Sequence, residues 1–143
     1  MKDTLKLIIW PVVVGLLMAF SIMMLFELIN SFFFPFPEGM DVRDVQAFTK
    51  TLPWTAYILV LLGWIVGSFI AGCVTTKLSR MESYKPALMV GIILTLLGVV
   101  NNIIIGHDMV FNIIGLPMFI IFTYLGHRCW LQTKRKSGVI NFS

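Results

Sequence analysis

The sequence contains little charge and little cysteine. Only 13% of its 143 residues are charged and 58% are hydrophobic, so the chain is far more apolar than a water-soluble domain of this size. Its two cysteines, Cys73 and Cys129, have none of the close spacings typical of metal ligands, and the sequence predicts no metal site. The composition therefore excludes an ordinary soluble fold and predicts a membrane protein.

Motifs of common enzyme classes are also lacking. The chain has no HExxH zinc motif, no nucleophile elbow, no phosphate-binding P-loop and no glycine-rich dinucleotide turn. His107 and Asp108 are adjacent but have no convincing nucleophile near them, which leaves an intramembrane enzyme acting on lipid as the weakest alternative. We therefore expect a protein that is not an enzyme, with no catalytic residues and no cofactor.

What the chain has instead is long apolar runs. A helix needs about 20 mostly apolar residues to span a bilayer, and four segments qualify: 5–34, 53–76, 86–105 and 109–130. The first run is longer than the core of a signal peptide, and no small-x-small cleavage site follows it. The sequence predicts one all-α membrane domain over 1–143, a four-helix bundle in a lipid bilayer, with an outer loop at 35–52 and a basic tail at 131–143.

Positive charges are distributed unevenly between the two ends of these helices. Nine of the eleven Lys and Arg residues lie near the termini or in the loop between the second and third helices, whereas only Arg43 and Lys50 lie in the first loop. By the positive-inside rule, both termini face the cytoplasm. Both cysteines then lie near the reducing side, where a disulfide is not expected.

The cations and the interfacial residues also indicate which partners to expect. Because the cations are spread over short loops beside the membrane, we expect no nucleic-acid partner, and we expect the KRK run at 134–136 to contact anionic headgroups. His127 is predicted to lie at the same headgroup level. Trp54 and Tyr57 are predicted to lie at the outer interface, where amphipathic rings prefer to be.

The first outer loop combines a helix-breaking run with a short amphipathic segment. PFPEG cannot continue a helix because proline lacks an N–H group. Asp41 can cap a following helix, DVRDVQAFTKTL, on which one face carries Val42, Val45, Phe48 and Leu52. Three roles stay open for this helix: it lies flat on the outer membrane surface, it covers the bundle, or it only connects two spans.

Small residues recur every four positions in the second predicted helix and every three or four positions in the third. Such stripes let helix backbones approach closely in membranes. The second helix carries Gly63, Gly67, Ala71 and Thr75, the third carries Ala87, Gly91, Thr95, Gly98 and Asn102, and the first has a shorter stripe of Gly15 and Ala19. The stripes could pack against each other within one chain or against another copy, and they do not indicate transport.

Polar side chains gather in the outer half of helices one, three and four. They are Glu27, Asn30, Asn101, Asn102, His107, Asp108 and Asn112. At about 1.5 Å per residue, Glu27 lies ~32 Å from Lys6, near the outer boundary, and Asn30 shares its helix face. An ionisable group in a membrane helix is a functional candidate. Two interpretations are open: hydrated interface residues with Asn102 bridging helices, or a polar pocket open to the outside.

Three segments resemble known families. PFPEGMD followed by LPWTAYILVLLGWIVGSFIAG resembles a class of small bacterial four-helix integral membrane proteins, which implies a bacterial inner membrane and brings no activity with it. PALMVGIILTLLGVVNNI resembles the last helix of the small multidrug resistance exporters, which also carry a glutamate in their first helix. Here, however, the similar segment is the third helix, and Glu27 lies too near the outer surface for a substrate site at mid-membrane. GWIVGSFIAG resembles a helix of the small fluoride channels. Dimers of those channels have dual topology, which requires a weak charge bias, whereas the cations of this chain are strongly biased toward one side.

Together these features favour one function and leave a second open. The first is a non-enzymatic membrane protein that acts through helix packing, as an accessory or assembly subunit with a membrane-protein partner or as a homo-oligomer. The alternative is a small transporter or channel for an ion or small solute, with an outer polar pocket around Glu27.

Overall fold

Every regular element in residues 2–106 and 109–137, the part that the computed structural model describes, is an α-helix. The helices are α1 (Lys2–Phe33), α2 (Val42–Thr49), α3 (Trp54–Ser79), α4 (Lys85–Ile105) and α5 (Met109–Lys136). All except α2 are long and apolar enough to cross a bilayer. The predicted all-α architecture with four membrane-spanning helices is confirmed.

Two of the helices extend beyond their predicted ends. α3 continues past 76 to Ser79 and stops at Arg80, whose φ of 54° is left-handed. α5 continues past 130 to Lys136, so the first part of the predicted basic tail is helical. No glycine or proline interrupts this stretch, and cations in the last turn interact favourably with the negative end of the helix dipole.

α3 is the central helix of the bundle. It packs against α1, α5 and α4, whereas α1 and α5 make no contact with each other within the described residues. α4 packs mainly against α5 and only lightly against α1. This arrangement leaves a gap between α1 and α4 on one side of the bundle.

Small residues line the α1–α3 interface on both helices. A Cβ atom added at Gly67 would lie 3.0 Å from the Ala19 carbonyl oxygen, and one added at Gly63 would lie 2.8 Å from Phe26 Cβ. Gly15 of α1 lies against Thr75 in the same way, and the Thr75 hydroxyl donates to the Pro11 carbonyl at 3.3 Å. The α3 stripe is therefore occupied by α1 of the same chain.

The α4 stripe is occupied by α5. A Cβ at Gly91 would lie 2.5 Å from Thr123 Oγ1, and one at Gly98 would lie 2.6 Å from the Phe119 ring. Ala71 and Ala87 are buried in the same core. Gly72 and Gly126 are not part of the predicted stripes, yet a Cβ at either position would collide with the backbone of the facing helix and force α3 and α5 apart.

Two side chains that were predicted to lie at the membrane interfaces are buried within the bundle. Tyr57 is only 9% exposed, because α2 folds over it and the Thr49 carbonyl accepts a hydrogen bond of 2.6 Å from its hydroxyl. His127 is only 3% exposed and lies 3.0 Å from Thr76 Oγ1, between α5 and α3. Both side chains have polar partners inside the bundle, and these hydrogen bonds offset the free-energy cost of burying their polar groups.

Candidate functional site

Glu27 stands at the junction of two concave surfaces in the outer half of the bundle. It lines the gap between α1 and α4, called here the α1–α4 groove, and it also lines a small cavity between α1, α2 and α3. Its side chain is exposed, whereas Asn30, one helical turn later, is buried. The two residues were predicted to share one helix face, and on that face Glu27 lies at the open groove and Asn30 lies in the bundle interior.

The α1–α4 groove is mostly apolar and has a volume of about 390 Å³. Its walls come from α1 and α4, and its floor is formed by Trp64 of α3 and Phe119 of α5, whose rings stack at 4.7 Å. Met24 on the α1 wall is 71% exposed. Glu27 and Asn101 are the two polar residues among those lining the groove. A long apolar ligand or a helix with one polar group fits this pattern.

Within the part of the chain that the structure describes, nothing compensates the charge of Glu27. Within the described residues its carboxylate makes no hydrogen bond and no ion pair. A charged side chain in the membrane region is costly unless it meets water, a counter-ion or a donor. Glu27 lies ~32 Å along the helix from Lys6, at a depth where water at the outer interface or a group from another molecule can supply that compensation.

The cavity at the other side of Glu27 is small. Its volume is about 50 Å³, and its lining includes Asn30, Thr49, Tyr57 and Ile105. Asn30 Oδ1 is buried and has no partner in the described part of the chain. A water molecule needs about 10–15 Å³ of such space. The cavity therefore fits a few waters or a small cation, and it is too small for an organic solute.

α2 covers this outer end of the bundle. The Gln46 amide Nε2 donates to the carbonyls of Ile103 and Ile104, at 3.2 Å each, which are among the last carbonyls of α4. The half-buried Val45 and Phe48 face the bundle, and Arg43 is exposed. Of the three roles left open for this helix, covering the bundle is the one that the geometry favours.

Asp41 occupies the N-cap position of α2 as expected, but its side chain makes no capping hydrogen bond there. The helix is held from its other end, where the Thr49 carbonyl accepts the bond from Tyr57.

The remaining predicted polar residues lie in different environments. Asn102 is 6% exposed, and neither its oxygen nor its nitrogen has a partner in the described residues. Asn112 is half-buried at the start of α5. His107 and Asp108 lie outside the described residues. The structure thus brings Glu27 together with Asn30 in the cavity and with Asn101 in the groove, while Asn102 lines neither.

Three residues of this site were not predicted from the sequence. Trp64 and Phe119 form the groove floor, and Gln46 fastens α2. Trp64 lies in an apolar run without any distinguishing pattern, so no local signal marked it. Among the described residues, no three His, Cys, Asp or Glu side chains are grouped so that they could hold a metal ion.

Comparison with protein-family models, with curated proteins and with solved structures finds no match for this chain.

Proposed function

We propose that this chain is a non-enzymatic membrane subunit that binds a transmembrane helix of a partner protein in the α1–α4 groove. The single observation that carries the proposal is the carboxylate of Glu27, which has no partner among the described residues and lies at the edge of an apolar groove. A partner helix with one Lys, Arg or amide donor at that depth would cover the apolar walls and compensate the carboxylate.

The packing of the small-residue stripes within the chain supports the α1–α4 groove as the partner-binding surface. Because α1 and α5 already occupy the stripes of α3 and α4, the stripes are not free for another molecule. α1, by contrast, has only 17% of its apolar stretch buried within the chain, compared with 44% for α3. The uncovered side of α1, next to the groove, is the surface left for a partner.

Charge favours a different protein over a second copy. A two-fold contact through this groove would place the same surface of both copies face to face. The two Glu27 carboxylates would then approach each other, and like charges at an interface oppose association. A homo-oligomer is therefore the less favoured form of the same function.

The location that accompanies this proposal is a bacterial inner membrane with both termini in the cytoplasm. The orientation is supported by the concentration of nine of the eleven cations at one end of the helices. The bacterial inner membrane is supported only by the resemblance of the PFPEGMD segment and the helix after it.

Photo-crosslinking from the groove tests the proposal. We expect p-benzoylphenylalanine at Met24 to form an adduct with a transmembrane helix of another protein, at a site within two turns of a Lys, Arg or amide residue. Glu27→Gln should reduce the adduct about tenfold, since removing one partner of such a pair costs more than ~1.4 kcal/mol. The matched control places the probe at Ile113, which is also exposed in the outer half but on α5.

Three results would overturn the proposal: an adduct only with a second copy, equal adducts from Met24 and Ile113, or an adduct that Glu27→Gln leaves unchanged. The second candidate function, a cation path, has its own supporting observation in Asn30 and Asn102, which are buried and have side-chain atoms without a partner among the described residues. It requires Glu27-dependent flux of a monovalent cation into proteoliposomes that hold this chain alone.

A further inference from the structure

At the opposite end of the bundle, the C-terminal ends of α3 and α5 enclose a second pocket. Its volume is about 410 Å³, and it is lined by the last turn of α3, the start of the α3–α4 loop and the last two turns of α5. The pocket is separate from the α1–α4 groove, so it raises a question independent of the partner helix.

The charges around this pocket are mainly positive. Lys77, Arg80 and Lys134 line it together with one carboxylate, Glu82. Among the described residues, none of the three cations is paired with that carboxylate or with another one. The ammonium of Lys77 lies 5.3 Å from the centre of the Trp130 ring, which holds it at the pocket wall.

The pocket also has an apolar wall, which lies beside the cations. Met81, Trp130 and Leu131 form wall surface beside the three cations. Tryptophan at the end of a membrane-spanning helix lies at headgroup depth. A ligand that fits both parts has a phosphate for the cations and an apolar body that continues toward the bilayer.

Arg80 adds an observation at the level of the backbone. It ends α3 with a φ of 54°, the only positive φ among the non-glycine residues of the described chain. Glycine adopts this conformation without the steric cost that a Cβ atom brings, and it is the usual residue at such a helix end. A guanidinium is therefore held beside the pocket at a position where glycine would be the more stable choice.

We propose that this pocket binds the phosphate headgroup of an anionic phospholipid, with Lys77, Arg80 and Lys134 contacting the phosphate and Trp130 and Leu131 contacting the glycerol and upper acyl region. Basic pockets between membrane helices are a known way of holding such headgroups. The lipid is favoured over free phosphate because the apolar wall has no function toward a free ion.

Lipid retention by the purified full-length chain tests this site. We expect native mass spectrometry in mild detergent to show one retained phosphatidylglycerol, and added phosphatidylglycerol to raise the midpoint of thermal unfolding by several degrees more than phosphatidylcholine. In Arg80→Gly and in Lys77→Gln/Lys134→Gln, both effects should fall at least fivefold. Arg80→Gly is the sharper variant, because it removes the guanidinium while relieving the left-handed backbone.

Arg128→Gln is the matched control, since Arg128 is an exposed cation of α5 that does not line the pocket. It should retain the lipid as the unmodified chain does. Lipid retention unchanged in Arg80→Gly, or equal stabilisation by phosphatidylcholine, would overturn the proposal. Equal stabilisation by inorganic phosphate would assign the pocket to a free anion and would also overturn it.

Discussion

At the scale of single residues, the contact between Thr76 and His127 shows how a polar pair is satisfied inside the bundle. The Thr76 hydroxyl donates its one hydrogen to the Gly72 carbonyl at 2.7 Å. His127 Nδ1, 3.0 Å away, must then carry the hydrogen and donate it to Thr76 Oγ1. This bond fixes the tautomer of a buried imidazole and joins α5 to α3.

Removing the hydroxyl should weaken the bundle without disturbing its shape. We expect Thr76→Val to lower the free energy of unfolding by about 1 kcal/mol, because it leaves Nδ1 of His127 without a partner while keeping the side-chain volume. The measurement is unfolding in a denaturing-detergent titration followed by circular dichroism.

Thr133 supplies the control for this prediction. Its hydroxyl is exposed and donates only to the Cys129 carbonyl of its own helix, so Thr133→Val should change the free energy by less than about 0.5 kcal/mol. Thr76→Ser keeps the hydroxyl and should therefore keep the free energy of unfolding close to that of the unmodified chain. Equal losses in Thr76→Val and Thr133→Val would show that the Thr76–His127 bond contributes nothing.

At the scale of elements, α2 depends on a few side-chain bonds to stay on the bundle. With eight residues it is too short to be stable as an isolated helix. Gln46 attaches it to the end of α4, and the Phe36 and Phe48 rings pack at 5.1 Å beside it. Thr49 of α2 forms part of the wall of the cavity that Asn30 lines.

We therefore expect Gln46→Ala to increase amide hydrogen exchange across α2 by about fivefold, the effect of losing roughly 1 kcal/mol of bonding. Gln46→Glu should have a larger effect, because a carboxylate donates no hydrogen bond and is repelled by the negative end of the α4 dipole. Hydrogen exchange with mass spectrometric detection on the full chain in detergent measures both.

Arg43→Gln provides the comparison on the same helix, since Arg43 is exposed and the change should leave α2 exchange as it is. If Gln46→Ala exchanges no faster than Arg43→Gln, α2 is held by its apolar contacts alone.

At the scale of the whole molecule, the distribution of cations predicts the orientation of the bundle. The α3–α4 loop and the end of α5 carry most of the cations outside the N-terminus, while the α1–α3 connection carries only Arg43 and Lys50. Cysteine accessibility tests this in a chain whose Cys73 and Cys129 are replaced by alanine. A matched pair of exposed glutamates, Glu38 and Glu82, reports on the two sides.

A membrane-impermeant maleimide should label Glu38→Cys in intact bacterial cells and Glu82→Cys only after the membrane is permeabilised. The reverse pattern would invert the proposed orientation. Labelling of both positions in intact cells would indicate dual topology, which would contradict the single orientation that the cation distribution predicts.

The sequence by itself determined the class of the molecule and the number of its spans. Length and composition set how many apolar runs exist, and each run must become a helix because the bilayer offers no partners for backbone polar groups. Even the short helix before Trp54 followed from local signals, the prolines before it and its apolar spacing.

Only the tertiary structure decided which side of each helix faces inward. The four long helices are apolar nearly all round, so periodicity does not distinguish a core face from a lipid face. For that reason the sequence placed Tyr57 and His127 at interfaces, missed Gly72 and Gly126, and left open where the stripes pack. Helix rotation is set by the close approach of one backbone to another, and that contact also put Glu27 at the edge of the groove and Asn30 beneath α2.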